Sequence, residues 1–142
     1  MIPKIIHYCW LSKDQIPDNM KKWMESWKKL RGYEFILWNF DRFDENSSVW
    51  VKQAFDAKKY AFAADYIRAF ALYNYGGIYM DMDVEVIKPF DDLLDNDYLL
   101  AEENPFGLEA GIMGASKGCP LFKDVLDWYN ARHFLDKDGK IP

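Results

Sequence analysis

Tyr60-Ala61-Phe62-Ala63-Ala64-Asp65-Tyr66-Ile67-Arg68-Ala69-Phe70-Ala71-Leu72-Tyr73-Asn74-Tyr75, continuing as Gly76-Gly77-Ile78-Tyr79-Met80-Asp81-Met82-Asp83-Val84-Glu85-Val86, is the stretch that decides the fold. Its first part has two formal charges, Asp65 and Arg68, among Ala, Phe, Tyr, Ile and Leu. A helix that is apolar on every face is usually a buried one. Asp65 and Arg68, three apart, leave the same side of that helix and can meet each other or one shared ligand. Gly76 and Gly77 end it, as glycines commonly do at helix C-termini. Two-residue alternation then predicts a strand from Ile78 to Val86, closed by Pro89, with Asp81, Asp83 and Glu85 on one face.

On the N-terminal side, the apolar run Lys4 to Trp10 reads as a central strand. In open α/β sheets a ligand commonly binds where such a first strand ends. Asp18 is placed to cap a helix reaching about Leu30, with Met20, Trp23, Met24, Trp27 and Leu30 as its apolar stripe. Gly32 ends that helix, Tyr33 to Trp38 is a second strand, and Val49 to Ala57 a weaker helix. On the C-terminal side, Asp91 to Leu94 reads as one helical turn, and Tyr98 to Ala101 and Gly111 to Ala115 as strands. A last helix from about Leu121 to Phe134 turns Phe122, Val125, Leu126 and Tyr129 inward. Strands alternating with helices predict an α/β fold with a mainly parallel sheet.

The chain has 142 residues, a length expected to form one domain, 1–142. Half is hydrophobic and 18% aromatic, which excludes disorder. A net charge of -5 argues against nucleic acid as a partner and means that an anionic ligand would enter with a cation. Cys9 and Cys119 form neither a disulfide framework nor a metal knuckle, so the default setting is reducing and cytoplasmic. No signal peptide and no membrane-length apolar run is legible, although peripheral contact with the inner membrane face stays open. The close on Gly139-Lys140-Ile141-Pro142 reads as a loop, from which further chain is expected.

Asp81 and Asp83 suit a hard divalent cation, because magnesium and manganese take oxygen ligands and keep positions open for phosphate oxygens. Alone, Asp-x-Asp is a common surface dipeptide pattern, but two carboxylates at the tip of an apolar strand repel unless solvated or neutralised. Asp65 and Arg68 read equally well as a helix-locking ion pair or as a ligand-binding couple, Arg68 bonding a phosphate or sugar oxygen and Asp65 accepting from sugar hydroxyls. Trp10 on its own is first a core residue and second a stacking wall for a base. Glu102, Glu103 and Asn104 read mainly as loop surface and secondarily as acceptor contacts; Glu109 is a weaker candidate. His7 and His133 are isolated, each expected to be packed or on the surface. The Trp23/Trp27 helix with its lysines is expected to face the core, with an acidic membrane surface as the alternative. Two other functions remain open on these residues: a phosphoryl-transfer hydrolase with an aspartyl nucleophile, which the motif's place past mid-chain disfavours, and a non-catalytic nucleotide-sugar binding module.

Four blocks carry a family likeness: Pro3 to Trp10, ending I-H-x-x-W; Ala61 to Arg68, small residues then D-x-x-R; Gly76 to Asp83, G-G-x-Y-x-D-x-D; and Gly111 to Pro120. In that order they resemble the DXD-containing glycosyltransferases of the nucleotide-diphospho-sugar superfamily. That grouping includes initiating mannosyltransferases, capsule and lipo-oligosaccharide transferases, and glucosylating toxin domains. The resemblance implies a GT-A fold and retaining transfer of a sugar from a UDP- or GDP-sugar to a glycan or lipid-linked acceptor, in surface polysaccharide synthesis. It implies Mn2+ or Mg2+ on Asp81 and Asp83. Trp10, Cys9 and Tyr79 would lie on the nucleotide with Asp81; Asp65 and Arg68 would hold the donor sugar and its phosphates. Asp65, Arg68 and Asp83 are the implied catalytic residues. Family members usually continue past the fourth block with residues that complete the metal shell.

Overall fold

The structure, a computed structural model, describes residues 1–102 and 108–141, with side chains outside the segment 101–110. Five strands, β1 (Ile5–Cys9), β2 (Glu34–Trp38), β3 (Gly77–Met80), β4 (Tyr98–Glu102) and β5 (Leu108–Ala115), make one sheet in the order β2-β1-β3-β5-β4. Helix α1 (Asp18–Glu25) joins β1 to β2, and α2 (Val49–Asp56) and α3 (Tyr60–Tyr75) join β2 to β3. Such helical crossovers are what parallel pairing needs, and β1 is parallel to both neighbours. β5 instead runs antiparallel to β3 and to β4, so the sheet is mixed. The reason is local: only five residues of sequence separate β4 from β5, too few for a crossover, so β5 doubles back on β4, and because β4 runs in the direction of β3, β5 lying between them opposes both.

One face of the sheet is covered by α2, α3 and α4 (Pro120–Asn130), around Trp38, Ile67, Leu72 and Phe122. The other face packs Ile6, Ile78 and Met80 against Trp27, Met82 and Val86. In α4, Phe122 and Leu126 are buried and Val125 and Tyr129 pack partly against that core, the expected inner stripe.

Three expectations change. Pro17, not Asp18, occupies the N-cap of α1, and α-helix gives way at Ser26 to a 3-10 turn through Lys29. The Ser26 hydroxyl donates to the Trp23 carbonyl at 2.7 Å and accepts from the Val86 amide at 2.7 Å, a back-bond of the kind that bends helices. Trp27 and Leu30 thereby turn inward while Trp23 stays exposed. Helix α3 begins and ends where expected, but its first turn is open, with Tyr60 and Phe62 exposed and burial starting at Ala63. Strand β3 stops at Met80, all four residues buried, so Asp81, Asp83 and Glu85 do not share a strand face and Pro89 does not end it.

The helix-to-strand junction is set by two glycines with positive φ, +71° at Gly76 and +117° at Gly77. A Cβ on Gly77 would lie 2.6 Å from the Ile5 carbonyl oxygen, so only glycine lets β3 reach β1. His7, fully buried, fastens the junction: its Nε2–H donates to the Gly76 carbonyl at 2.8 Å, and its Nδ1 accepts from the Trp38 indole N–H at 2.9 Å. Both bonds together require the neutral Nε2–H tautomer.

Candidate active site

A cleft of about 300 Å³ opens where β1 and β3 end together. Cys9 closes β1 and Trp10 follows it; Tyr79 is the penultimate residue of β3 and Asp81 comes just after it. Parallel neighbours that finish side by side bring these termini to one place. The opposite wall is the open first turn of α3, through Tyr60, Ala61 and Ala64. Ala61 and Ala64 present little side-chain bulk to the cleft there.

Trp10 is half-buried, its indole N–H donating to the Asp14 carbonyl at 2.8 Å, which fixes the ring at the cleft wall. Past β3, the Asp81 amide donates to Gly111 at 2.8 Å and the Val84 amide to the Asp81 carbonyl at 3.1 Å, so the chain turns over Met82 and Asp83. Met82 is drawn into the core below. That turn presents both Asp81 and Asp83 to the cleft, the expected outcome by a different route from strand alternation. Tyr79 is buried, and its phenol is hydrogen-bonded to Asp81. Burial first, then the neighbouring Cys9 and Asp81, push that phenol well above its ordinary range, with Arg68 opposing. Burial likewise pushes the Cys9 thiol up to about 12, Arg68 pulling down and Asp81 pushing up. Both groups are therefore neutral at physiological pH, and Cys9 is no thiolate nucleophile.

Asp65 and Arg68 do not line the cleft directly. They form an ion pair on α3, one turn beyond Ala61 and Ala64, with Arg68 mostly buried and Asp65 more open. The Arg68 guanidinium lies over the Tyr79 ring, 5.4 Å from its centroid, so it sits behind the cleft floor. One guanidinium thus serves both the ion pair and the contact with Tyr79. Of the seven residues singled out in the sequence, five line the cleft and two support it from behind. Glu103 and Asn104 lie outside the described residues, as do the side chains of Glu102 and Glu109. His133 is exposed, as expected, whereas His7 is a packed histidine that orders the junction feeding β3.

Among the described residues no group of three or more His, Cys, Asp or Glu side chains converges as a closed metal cage. The pair of carboxylates nevertheless has the chemistry of a magnesium or manganese site, in which one or two carboxylates act together with substrate phosphates. Ser12 and Met20 were not anticipated at the cleft. Ser12 lies in the polar loop after β1, and such a loop next to a strand end was the available signal.

Comparison with known proteins agrees with this geometry. Residues 14–100 match the family described as the glycosyltransferase sugar-binding region containing a DXD motif. The match takes in Asp65, Arg68, Tyr79, Asp81 and Asp83, and begins after Cys9 and Trp10. Inositol phosphoceramide mannosyltransferase 3 of Schizosaccharomyces pombe is 34% identical over 133 residues, covering 88% of this chain and 36% of that protein. Mannosyl phosphorylinositol ceramide synthase SUR1 of Saccharomyces cerevisiae is 33% identical, covering all of this chain and 37% of its own. The chain thus spans little more than a third of these relatives. Among solved structures, the PaToxG glycosyltransferase superposes with a TM-score of 0.67 at 19% identity, covering 89% of this chain and 58% of that one, which establishes a shared GT-A-like fold. With the mixed sheet, the Gly-Gly junction and the Asp-Met-Asp turn in place, the chain belongs to the family of DXD-containing glycosyltransferase sugar-binding regions.

Proposed function

We propose that the cleft binds a nucleoside-diphosphate sugar with a divalent cation, and that the protein transfers the sugar with retention to a lipid-linked or glycan acceptor. The carrying observation is the pair Asp81 and Asp83 on a cleft that the fixed Trp10 ring also lines. Two carboxylates beside a diphosphate need a compensating cation, and Mn2+ or Mg2+ held by Asp81 and Asp83 would supply charge neutralisation at the leaving phosphates. The chain's own groups do the rest. Trp10 offers a ring face to the base, and the Tyr79 phenol orients the Asp81 carboxylate. Arg68, held by Asp65, adds positive potential behind Tyr79 that favours developing negative charge on the diphosphate side. With Cys9 and Tyr79 both protonated, no nucleophile arises from either, consistent with a mechanism in which the departing diphosphate accepts the acceptor's proton.

The relatives named above point to mannose as the sugar and to an inositol phosphoceramide-like lipid as the acceptor class, which favours a lipid over a capsule or polysaccharide acceptor. The test is a panel of UDP- and GDP-sugars with manganese, measuring nucleotide affinity by calorimetry and sugar-nucleotide cleavage by chromatography. The Asp81→Asn/Asp83→Asn variant should lose the manganese-dependent part of both. Equal manganese dependence in the variant and the parent would refute the assignment; metal-dependent binding without cleavage of any donor would assign a binding module.

A further inference from the structure

A second surface lies beside the cleft and shares none of its lining residues. Between Asp18 and Glu34 the chain carries five cations, Lys21, Lys22, Lys28, Lys29 and Arg31, against three anions, Asp18, Glu25 and Glu34. This segment is therefore +2 within a protein of net charge -5. Among the described residues, Lys21, Lys22 and Arg31 take part in no ion pair, while Lys28 pairs with exposed Glu25 at 2.7 Å. Next to these cations an apolar groove of about 350 Å³ runs between α1 and the sheet-edge strand β2, lined by Tyr8, Met24, Trp27, Lys28, Leu30 and Phe35. Phe35 is stacked on Trp27, centroids 6.3 Å apart and planes 11° from parallel, yet it stays 43% exposed. Lys21 comes one turn before Met24 and so shares its side of α1.

An exposed aromatic on a groove rimmed by long cationic side chains has the make-up of an interfacial membrane contact. We propose that this face docks the protein on an anionic lipid bilayer, with Phe35 and Met24 entering the headgroup layer and Lys21 and Lys28 meeting lipid phosphates. Charge complementarity favours a bilayer here, since the positive segment is a minority on an acidic protein that anionic surfaces would otherwise repel. The placement also has a consequence for the site. Met20 lines the donor cleft and Met24 the groove, one helical turn and about 6 Å apart along α1. A bilayer held at the groove would lie next to the cleft mouth.

The proposal goes beyond the donor-site reading and does not depend on it, because binding is measured without donor or metal. The whole chain is sedimented with phosphatidylcholine vesicles, with and without about one third phosphatidylglycerol. Binding should appear only with the anionic vesicles and weaken as salt rises. Lys21→Gln/Lys28→Gln should lower the partition coefficient about 25-fold, taking about fivefold for each cation at a lipid surface. Phe35→Ser should lower it at every salt concentration, with circular dichroism confirming an intact fold. Lys117→Gln/Lys123→Gln, on other elements, should change nothing. Equal binding to neutral vesicles, no binding at all, or binding indifferent to the Lys21/Lys28 pair would overturn the proposal. So would a concentration-dependent dimer abolished by Phe35→Ser, which would give the groove to a second copy. Manganese-dependent nucleotide binding would survive any of these outcomes, so the two readings fail separately.

Discussion

His7 offers the most decisive perturbation, because it is a buried titratable group bonded to the Gly76 carbonyl ahead of β3 and to the Trp38 indole at the end of β2. Burial is the main influence on its pKa and lowers it; the Gly76 carbonyl and Glu34 pull up and Arg42 pushes down, for a net value below the ordinary 6.5. The unfolded chain therefore takes up a proton at a higher pH than the folded one does. Stability contributed by neutral His7 is fully present above about pH 6.5 and declines as pH falls from there toward the folded pKa. In that window the slope for one proton approaches about 1.4 kcal/mol per pH unit. Protonation would also turn Nδ1 into a donor facing the Trp38 indole donor, so the 2.9 Å bond could not survive it. His7→Gln can retain at most part of this pairing and should cost about 1–3 kcal/mol at pH 7.5. More tellingly, it should flatten the slope between pH 7 and about 5, above the main carboxylate range. Urea unfolding of both proteins across that range is the assay. The only other histidine is His133, which is exposed. An equal slope in the parent and His7→Gln would refute the reasoning, as would a parent whose stability rises on acidification.

Trp10→Ala should weaken nucleotide affinity by about 1–3 kcal/mol, the usual worth of one stacked base, with little change in thermal midpoint; unchanged affinity in titration calorimetry would remove Trp10 from the base site. Arg68→Ala should reduce nucleotide-sugar affinity at least about tenfold while costing under roughly 2 kcal/mol of stability, because Asp65 is partly solvated. A collapse of the thermal midpoint would instead make the pair a helix lock. Gly77→Ala, whose Cβ would meet the Ile5 carbonyl oxygen at 2.6 Å, should cost about 2–6 kcal/mol in denaturant titration. Gly118→Ala, with φ of +76° but nothing within 4 Å, should cost only the backbone strain, about 1 kcal/mol, so similar losses would show that close approach does not matter at Gly77.

Much of the parallel half of the sheet could be read from the chain, because its signals are local. The glycines that end α3, the apolar runs of β1 and β2 and the helical spacing of α4 each act over a few residues, and the structure follows them. The antiparallel half was less legible. A strand does not announce its partner's direction; the usable signal was the short stretch of sequence between β4 and β5, too short for the crossover that parallel neighbours need. His7 was expected to be packed or on the surface, and it is packed, but the bonds it makes were illegible for a similar reason. Its partners, the Gly76 carbonyl and the Trp38 indole, are 69 and 31 residues away, and no periodicity records such bonds.

The Asp81 to Val86 segment shows why a site can be located correctly on mistaken geometry. Alternation of Met80, Met82 and Val86 with acids imitates a strand, and those three residues are indeed buried. Burial of alternate residues, however, needs only a core on one side and water on the other, which a turn over that core also provides. What distinguishes the two is hydrogen bonding: the β3 register with β5 ends at Met80 opposite Ile112, the Asp81 amide still reaches the Gly111 carbonyl, and the Val84 amide then bonds back to the Asp81 carbonyl. The turn has a functional advantage over a strand. A continued ladder would have spent the backbone groups of this segment on β5 and held the two acids on a flat face, whereas the turn lifts both into the cleft beside Trp10. Pairing here ends where the cleft begins, so the residues that look most regular in sequence are the ones the fold releases from regular structure.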